Sequence, residues 1–279
     1  MDRIYIVTDS TADIPPATAK EWDIHIVPCY INFGSQSFLD EVELSRAEFY
    51  RRLVSDPEHP TTSAPPSGLF ARVYREILDK ATGIVSLHPP DHLTALRQSA
   101  LNGWEMVKGK IPYSALDAGQ LSMGLGWIVI RAAQAAADGA DMTAIKQLVA
   151  GLRGRAQVFA ALDTIEFLRR SGRVGWARGA IGKILRIRPL IQLYQGQIFS
   201  RGYTRTRRSA LERLLDHIQS LGELECLTVL HSNAPDLADE FRQRLAKLSL
   251  PGPILTASVT PVLGTHVGPG GVGFAAVQH

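Results

Sequence analysis

The sequence predicts an α/β protein of two domains: an N-terminal α/β/α domain on a parallel sheet, residues 1–154, and a C-terminal α/β domain on a mixed sheet, residues 155–279. Three observations predict it. The chain has 279 residues, about twice the ~150 of a nominal domain. Its first half alternates short apolar runs with helical patterns, which implies right-handed crossovers and a parallel sheet. From Ala156 onward, hairpin-like pairs are mixed with helices.

Taken in order, Ile4 to Thr8 is an apolar run closed by Asp9-Ser10, the pattern of a buried strand. Asp13 with Pro15-Pro16 suits a helix start, and Ile24 to Ile31 reads as a second strand. Ser45-Arg46-Ala47-Glu48 is a capping box, so a helix runs from there to about Val54. Residues 56–66 hold Pro57, Pro60, Pro65 and Pro66, too many prolines for regular structure. A helix from Leu69 to Lys80 leads into strand Gly83 to Leu87. Helix Leu93 to Val107, strand Tyr113 to Leu116 and helices Ser122 to Ala137 and Met142 to Leu152 complete the first half. In the second half, Val158 to Leu162 is a strand and Thr164 to Arg170 a helix. Pro189 to Tyr194 and Gln197 to Phe199 turn on Gln195-Gly196. Helix Ser209 to Leu221, strand Leu224 to Leu230, helix Pro235 to Leu248 and strands Ile254 to Ser258 and Val272 to Val277 follow.

Composition narrows the class. Hydrophobic residues at 45% and charged residues at 20% exclude a disordered, collagenous or coiled-coil chain. Two cysteines, Cys29 and Cys226, make neither a disulfide framework nor a C-x-x-C zinc or redox motif, which favours a reducing cytoplasm. Met1-Asp2-Arg3 leads straight into a strand-like run, so a secretory leader is not expected. The apolar stretch Leu121 to Ile130 is half of the ~20 residues a membrane helix needs, and Arg131 ends it, so no stable membrane insertion is expected.

Charge is uneven behind a net value of +3. Phe167 to Leu211 contains no Asp or Glu but holds 11 of the 30 basic residues, among them Arg173, Arg178, Lys183, Arg186, Arg205 and Arg207. Such a surface attracts anions, or is simply a solvated face. Aromatics are sparse there and no recognition motif occurs, so nucleic acid is not an expected partner.

The standard catalytic loops fail on inspection. Gly124-Leu125-Gly126 lacks the third glycine of a dinucleotide motif, and Gly182-Lys183 lacks the spacing of a P-loop. Ser122 does not follow the glycine of a nucleophile elbow. Pro89-Pro90 prevents His88 and His92 from sharing a helical face, so no metal site is expected. Three polar loops remain: Thr61 to Pro66, His88 to Thr94, and Gly264 to Gly271, the last with a histidine between glycines. Hydroxyls, an imidazole and exposed N–H groups are the donors an anionic head group requires.

The ordered set Thr8-Asp9-Ser10-Thr11-Ala12-Asp13-Ile14-Pro15, Thr62-Ser63-Ala64-Pro65, Gln98-Ser99-Ala100, Ser122-Met123-Gly124-Leu125-Gly126, Gly172-Arg173-Val174, Ile187-Arg188-Pro189-Leu190 and Gly264-Thr265-His266-Val267-Gly268-Pro269-Gly270 resembles the DegV family over nearly the full chain. The resemblance implies two α/β domains with a long-chain fatty acid buried between them, and no cofactor. In some members the acid is presented to a fatty acid kinase that phosphorylates its carboxylate. The family's carboxylate-binding threonine falls on Thr62, its head-group serine on Thr94, and its histidine on His266. A basic residue after the hairpin falls on Arg205, or two positions on at Arg207. Ser63, Ala95, Gly264 and Thr265 flank these positions in a supporting role. This sequence departs from the family pattern at Ala64, in place of Gln, and at Ala95, in place of Gly.

The resemblance therefore implies a binding protein rather than an enzyme. The alternative is an acyl-transfer or hydrolytic enzyme in which Thr62 or Thr94 is the nucleophile and His266 the base. No carboxylate to orient that histidine is evident in the sequence.

Overall fold

The computed structural model describes residues 3–173, 187–248 and 254–279. Arg178, Lys183 and Arg186 of the basic stretch lie outside the described residues.

The fold is α/β, with one fully parallel sheet and one mixed sheet. The parallel sheet has the order β2-β1-β6-β7, built from β1 (Arg3–Asp9), β2 (His25–Val27), β6 (Ala81–His88) and β7 (Tyr113–Asp117). Its crossovers carry α1 (Pro16–Glu21) and α4 (Leu96–Val107), while α3 (Ser67–Leu78) leads into β6. The mixed sheet has the order β10-β9-β8-β13-β11-β12. Its strands are β8 (Ala156–Ala161), β9 (Arg188–Tyr194), β10 (Gln197–Thr204), β11 (Leu224–Ser232), β12 (Leu255–Ser258) and β13 (Gly271–Gln278). Among the described residues, only the β11–β12 pairing of this sheet is parallel.

A helical layer joins the two sheets. α5 (Ser122–Ala137) is apolar over most of its surface and buries most of its residues, leaving only Arg131 and Gln134 as long polar side chains at its partly exposed edge. With α6 (Met142–Arg155) it lies between Ile4, Ile6, Val85 and Leu87 of the parallel sheet and Leu230, Ala275 and Val277 of the mixed sheet. Phe70 and Tyr74 of α3 cover the outer face of the parallel sheet. α8 (Arg207–Ser220) and α9 (Pro235–Leu245) cover the outer face of the mixed sheet. No helix among the described residues is long and apolar enough to cross a membrane.

Two expectations are corrected. The run from Ile24 to Ile31 is not one strand. Pro28 has no N–H for a ladder, and the chain divides there into β2 and β3 (Tyr30–Phe33), which belong to different sheets. The proline-rich segment contains a strand after all, β5 (Thr61–Ser63). It lies on the edge of a small antiparallel sheet, β4-β3-β5, in which β4 is Gln36–Leu39. Three residues between Pro60 and Pro65 fit an edge, where one side needs no partner. α2 (Arg46–Ser55), capped at Ser45 by a bond from Glu48 N–H, packs Phe49, Tyr50 and Leu53 against Ile31 and Phe33 of this sheet.

Candidate functional site

In an open parallel sheet, ligands bind beyond the carboxyl ends of the strands, where connections leave in opposite directions. Here β1 runs on toward β2 on one side and β6 toward β7 on the other. The loops after β1 and β6 carry Thr11 and Thr94, and both residues line a cavity of about 370 Å³. The start of α5, at Leu121 and Ser122, forms part of its wall. Apolar side chains of the mixed sheet form another part, including Val158, Ala160, Ile191, Leu193 and Leu230. Polar groups are confined to a few positions in this lining, the composition expected of a small-molecule site.

One polar end is formed by β5 and α10 (Pro261–Val267). Thr62 Oγ1 lies 3.2 Å from His266 Nε2. Thr62 is half-buried at the middle of β5, opposite Ile31 of β3. Thr94 stands just before Ala95, the N-cap residue of α4, and both line the cavity. The Ser99 hydroxyl on α4 donates to Pro65 O, which ties the Thr94 loop to the Thr62 strand. Ser63 lies at the exposed rim.

The glycine-rich stretch is not one loop: Gly264 to Val267 lie in helix α10, and Gly268 to Gly270 turn into β13. Pro261 at the first helical position presets the backbone. Gly264 is there for contact: a Cβ would sit 2.8 Å from both Phe49 Cε1 and Tyr50 OH. Gly268 ends the helix at φ 70°, and a Cβ there would overlap the Phe167 ring.

Three expected residues lie away from the cavity. Gly264 packs on α2. Thr265 is fully buried, and its hydroxyl donates to Pro261 O at 3.1 Å within the helix. Arg205 is exposed beyond the end of β10, on the sheet's outer edge, where its carbonyl accepts from Arg188 at 3.2 Å. Arg207 opens α8 and is likewise exposed. The arginine that does line the cavity is Arg173, in the Gly172-Arg173-Val174 match noted above. Thr11 and Ser122, also in matched segments, line it too.

Burial, with Arg173 and His59 nearby, pushes the His266 imidazole down to about 4. The ring is therefore neutral at ordinary pH. Its Nδ1 is buried without a partner among the described residues. No group of three or more His, Cys, Asp or Glu among the described residues is arranged to hold a metal ion.

Comparison with known proteins agrees with this architecture. Residues 3–279 match the DegV family model, described as an uncharacterised protein family. A DegV domain-containing protein of Halalkalibacterium halodurans is 31% identical over 99% of this chain and 98% of its own. A fatty-acid-binding DegV family protein of Thermus thermophilus superposes with a TM-score of 0.91 at 30% identity, covering 99% of this chain and 100% of its own. DegV of Bacillus subtilis, described as a fatty acid binding protein, gives a TM-score of 0.87 at 27% identity over 100% of both chains. By the extent of the family match and the identity to its relatives, the chain belongs to the DegV family.

Proposed function

We propose that this protein binds a long-chain fatty acid, with the tail in the apolar cavity and the carboxylate at Thr62, Thr94 and His266. The observation that carries the reading is the 3.2 Å Thr62–His266 hydrogen bond at one end of a cavity of about 370 Å³. A sixteen-carbon tail removes about 15 carbons from water, worth roughly 12 kcal/mol at ~0.8 each. Association and chain ordering oppose this by several kcal/mol, ~4 or more. The carboxylate loses hydration on entry and must meet donors. A neutral imidazole donating from Nε2 to Thr62 Oγ1 leaves the threonine O–H to donate to the acid. Arg173 adds a positive charge at the same cavity. The carboxyl end would then be presented to a fatty acid kinase, with Arg173 at the cavity favouring anionic reactants.

The Thr62–His266 pair also has the separation of a nucleophile and base. An imidazole pushed down to about 4 is a weak base at neutral pH, and no carboxylate orients its Nδ1 among the described residues. Both points favour binding over acyl transfer.

Denaturing the purified protein and analysing the organic extract by mass spectrometry tests the proposal. About one fatty acid per chain is expected, and less in Thr62→Ala and His266→Ala. A covalent acyl ester on Thr62 or Thr94 would favour the enzyme instead. Acyl phosphate formed from the loaded protein by a fatty acid kinase and ATP tests presentation.

A further inference from the structure

Asp13 is fully buried, yet it belongs to none of the contacts assigned to the ligand. It follows the short 3-10 turn Ser10–Ala12 after β1, in the left-handed conformation at φ 52°, which aspartate tolerates better than most residues. One carboxylate oxygen, Oδ1, accepts from Thr260 N and Thr260 Oγ1, both at 2.8 Å. The other accepts from the Ser122 hydroxyl. Burial pushes the carboxyl up to about 6, while Ser122 and Thr260 pull it down; as a carboxylate it accepts at every contact.

These partners sit at the starts of two helices. Thr260 is the N-cap of α10, and Ser122 begins α5 at φ 51°. The Thr260 side chain makes no cap bond of its own, because its single O–H is shared between Asp13 Oδ1 at 2.8 Å and Ser10 O at 3.0 Å. α10 has seven residues, too few to hold a direction without external anchors. His266 lies in its last turn.

We propose that Asp13 is a positioning residue for His266: by clamping the start of α10 to the start of α5, it sets where the imidazole stands beside Thr62. The inference rests on the fatty-acid reading above for its binding readout, but not for its geometric one.

A double-mutant cycle with a fluorescently labelled sixteen-carbon fatty acid tests it. Asp13→Ala should weaken probe binding about tenfold in the wild-type background and less than twofold in His266→Ala. Equal losses in both backgrounds would overturn the proposal. The His266 ring signals in 15N-histidine spectra of the ligand-free protein should shift in Asp13→Ala and return in Asp13→Asn, whose side-chain oxygen still accepts from Thr260. Unchanged ring signals in Asp13→Ala would overturn it as well. Thr260→Val, which keeps the backbone N–H bond, provides a milder variant if Asp13→Ala does not fold; the same shift in smaller measure is expected, and none would count against the clamp. If the wild type takes up no probe, the fatty-acid reading fails, and the ring signals alone decide the role of Asp13.

Discussion

Thr62 Oγ1 and His266 Nε2 stand 3.2 Å apart, although 204 positions separate them in the chain. An edge strand and a short helix bring them together. Thr62→Val keeps the volume and the branched shape of the side chain but removes the hydroxyl. A hydrogen bond to a charged group is worth ~1.5–3 kcal/mol, so fatty-acid affinity should fall about tenfold or more. Thr62→Ser should stay near wild type. Titration with a labelled fatty acid checks both, and undiminished binding by Thr62→Val removes Thr62 from the head-group site.

Ala160 lines the cavity from β8, opposite Gly273 of β13. A Cβ on Gly273 would come within 2.8 Å of Ala160 Cβ, so the sheet carries little bulk at this point. Ala160→Phe places a ring in the space assigned to the tail instead of in the packed core. Most of the extractable acid should be lost while the thermal midpoint holds or rises. A full complement of bound acid in this variant would mean that the tail runs elsewhere.

Gly264→Ala has an unusual expected sign. In an ordinary helix interior the change stabilises by ~0.5–1 kcal/mol. Here the new methyl meets Phe49 and Tyr50, both buried. Overpacking of that kind costs ~1–3 kcal/mol, and α10 has to shift to relieve it. Lower stability together with weaker acid binding is expected, because His266 lies two residues further on. A stabilised variant would show that α10 is not pressed against α2.

The alternation of strands and helices was legible because most of these elements bury one regular stripe or face. The polar ends of the cavity were legible in part. Thr62, Thr94 and His266 stand in segments that resemble the family, and the structure brings them to one cavity. The helix of α10 was hidden by Gly264, which reads as a breaker when its contact with α2 is unknown. The β5 strand was hidden by its prolines, which an edge position tolerates. Arg205 was placed by its distance from the hairpin, but the hairpin's outer strand turns it away from the cavity. Asp13 was legible as a helix start and as part of a matched segment, but not as a buried clamp, because its partners, Ser122 and Thr260, are 109 and 247 positions away.

The pH dependence of stability should show Asp40. This carboxyl is buried at the end of the β3–β4 hairpin, and burial pushes it up to about 8, partly offset by Ser10. A carboxyl raised in the folded state holds its proton where the unfolded chain has released it. Its contribution is therefore complete below 3.8, the ordinary value, and is lost as pH rises toward about 8. Asp13 has the same sign but is finished near 6. His266 has the opposite sign, since its lowered value gives a contribution gained between about 4 and 6.5. Between pH 6.5 and 8, Asp40 is thus the group of these three still titrating in the folded protein. Denaturant unfolding across that window should show wild type losing up to ~1.4 kcal/mol per pH unit relative to Asp40→Asn, which cannot ionise. Parallel curves for the two proteins would mean that Asp40 is already ionised in the fold, with its charge met by Arg46.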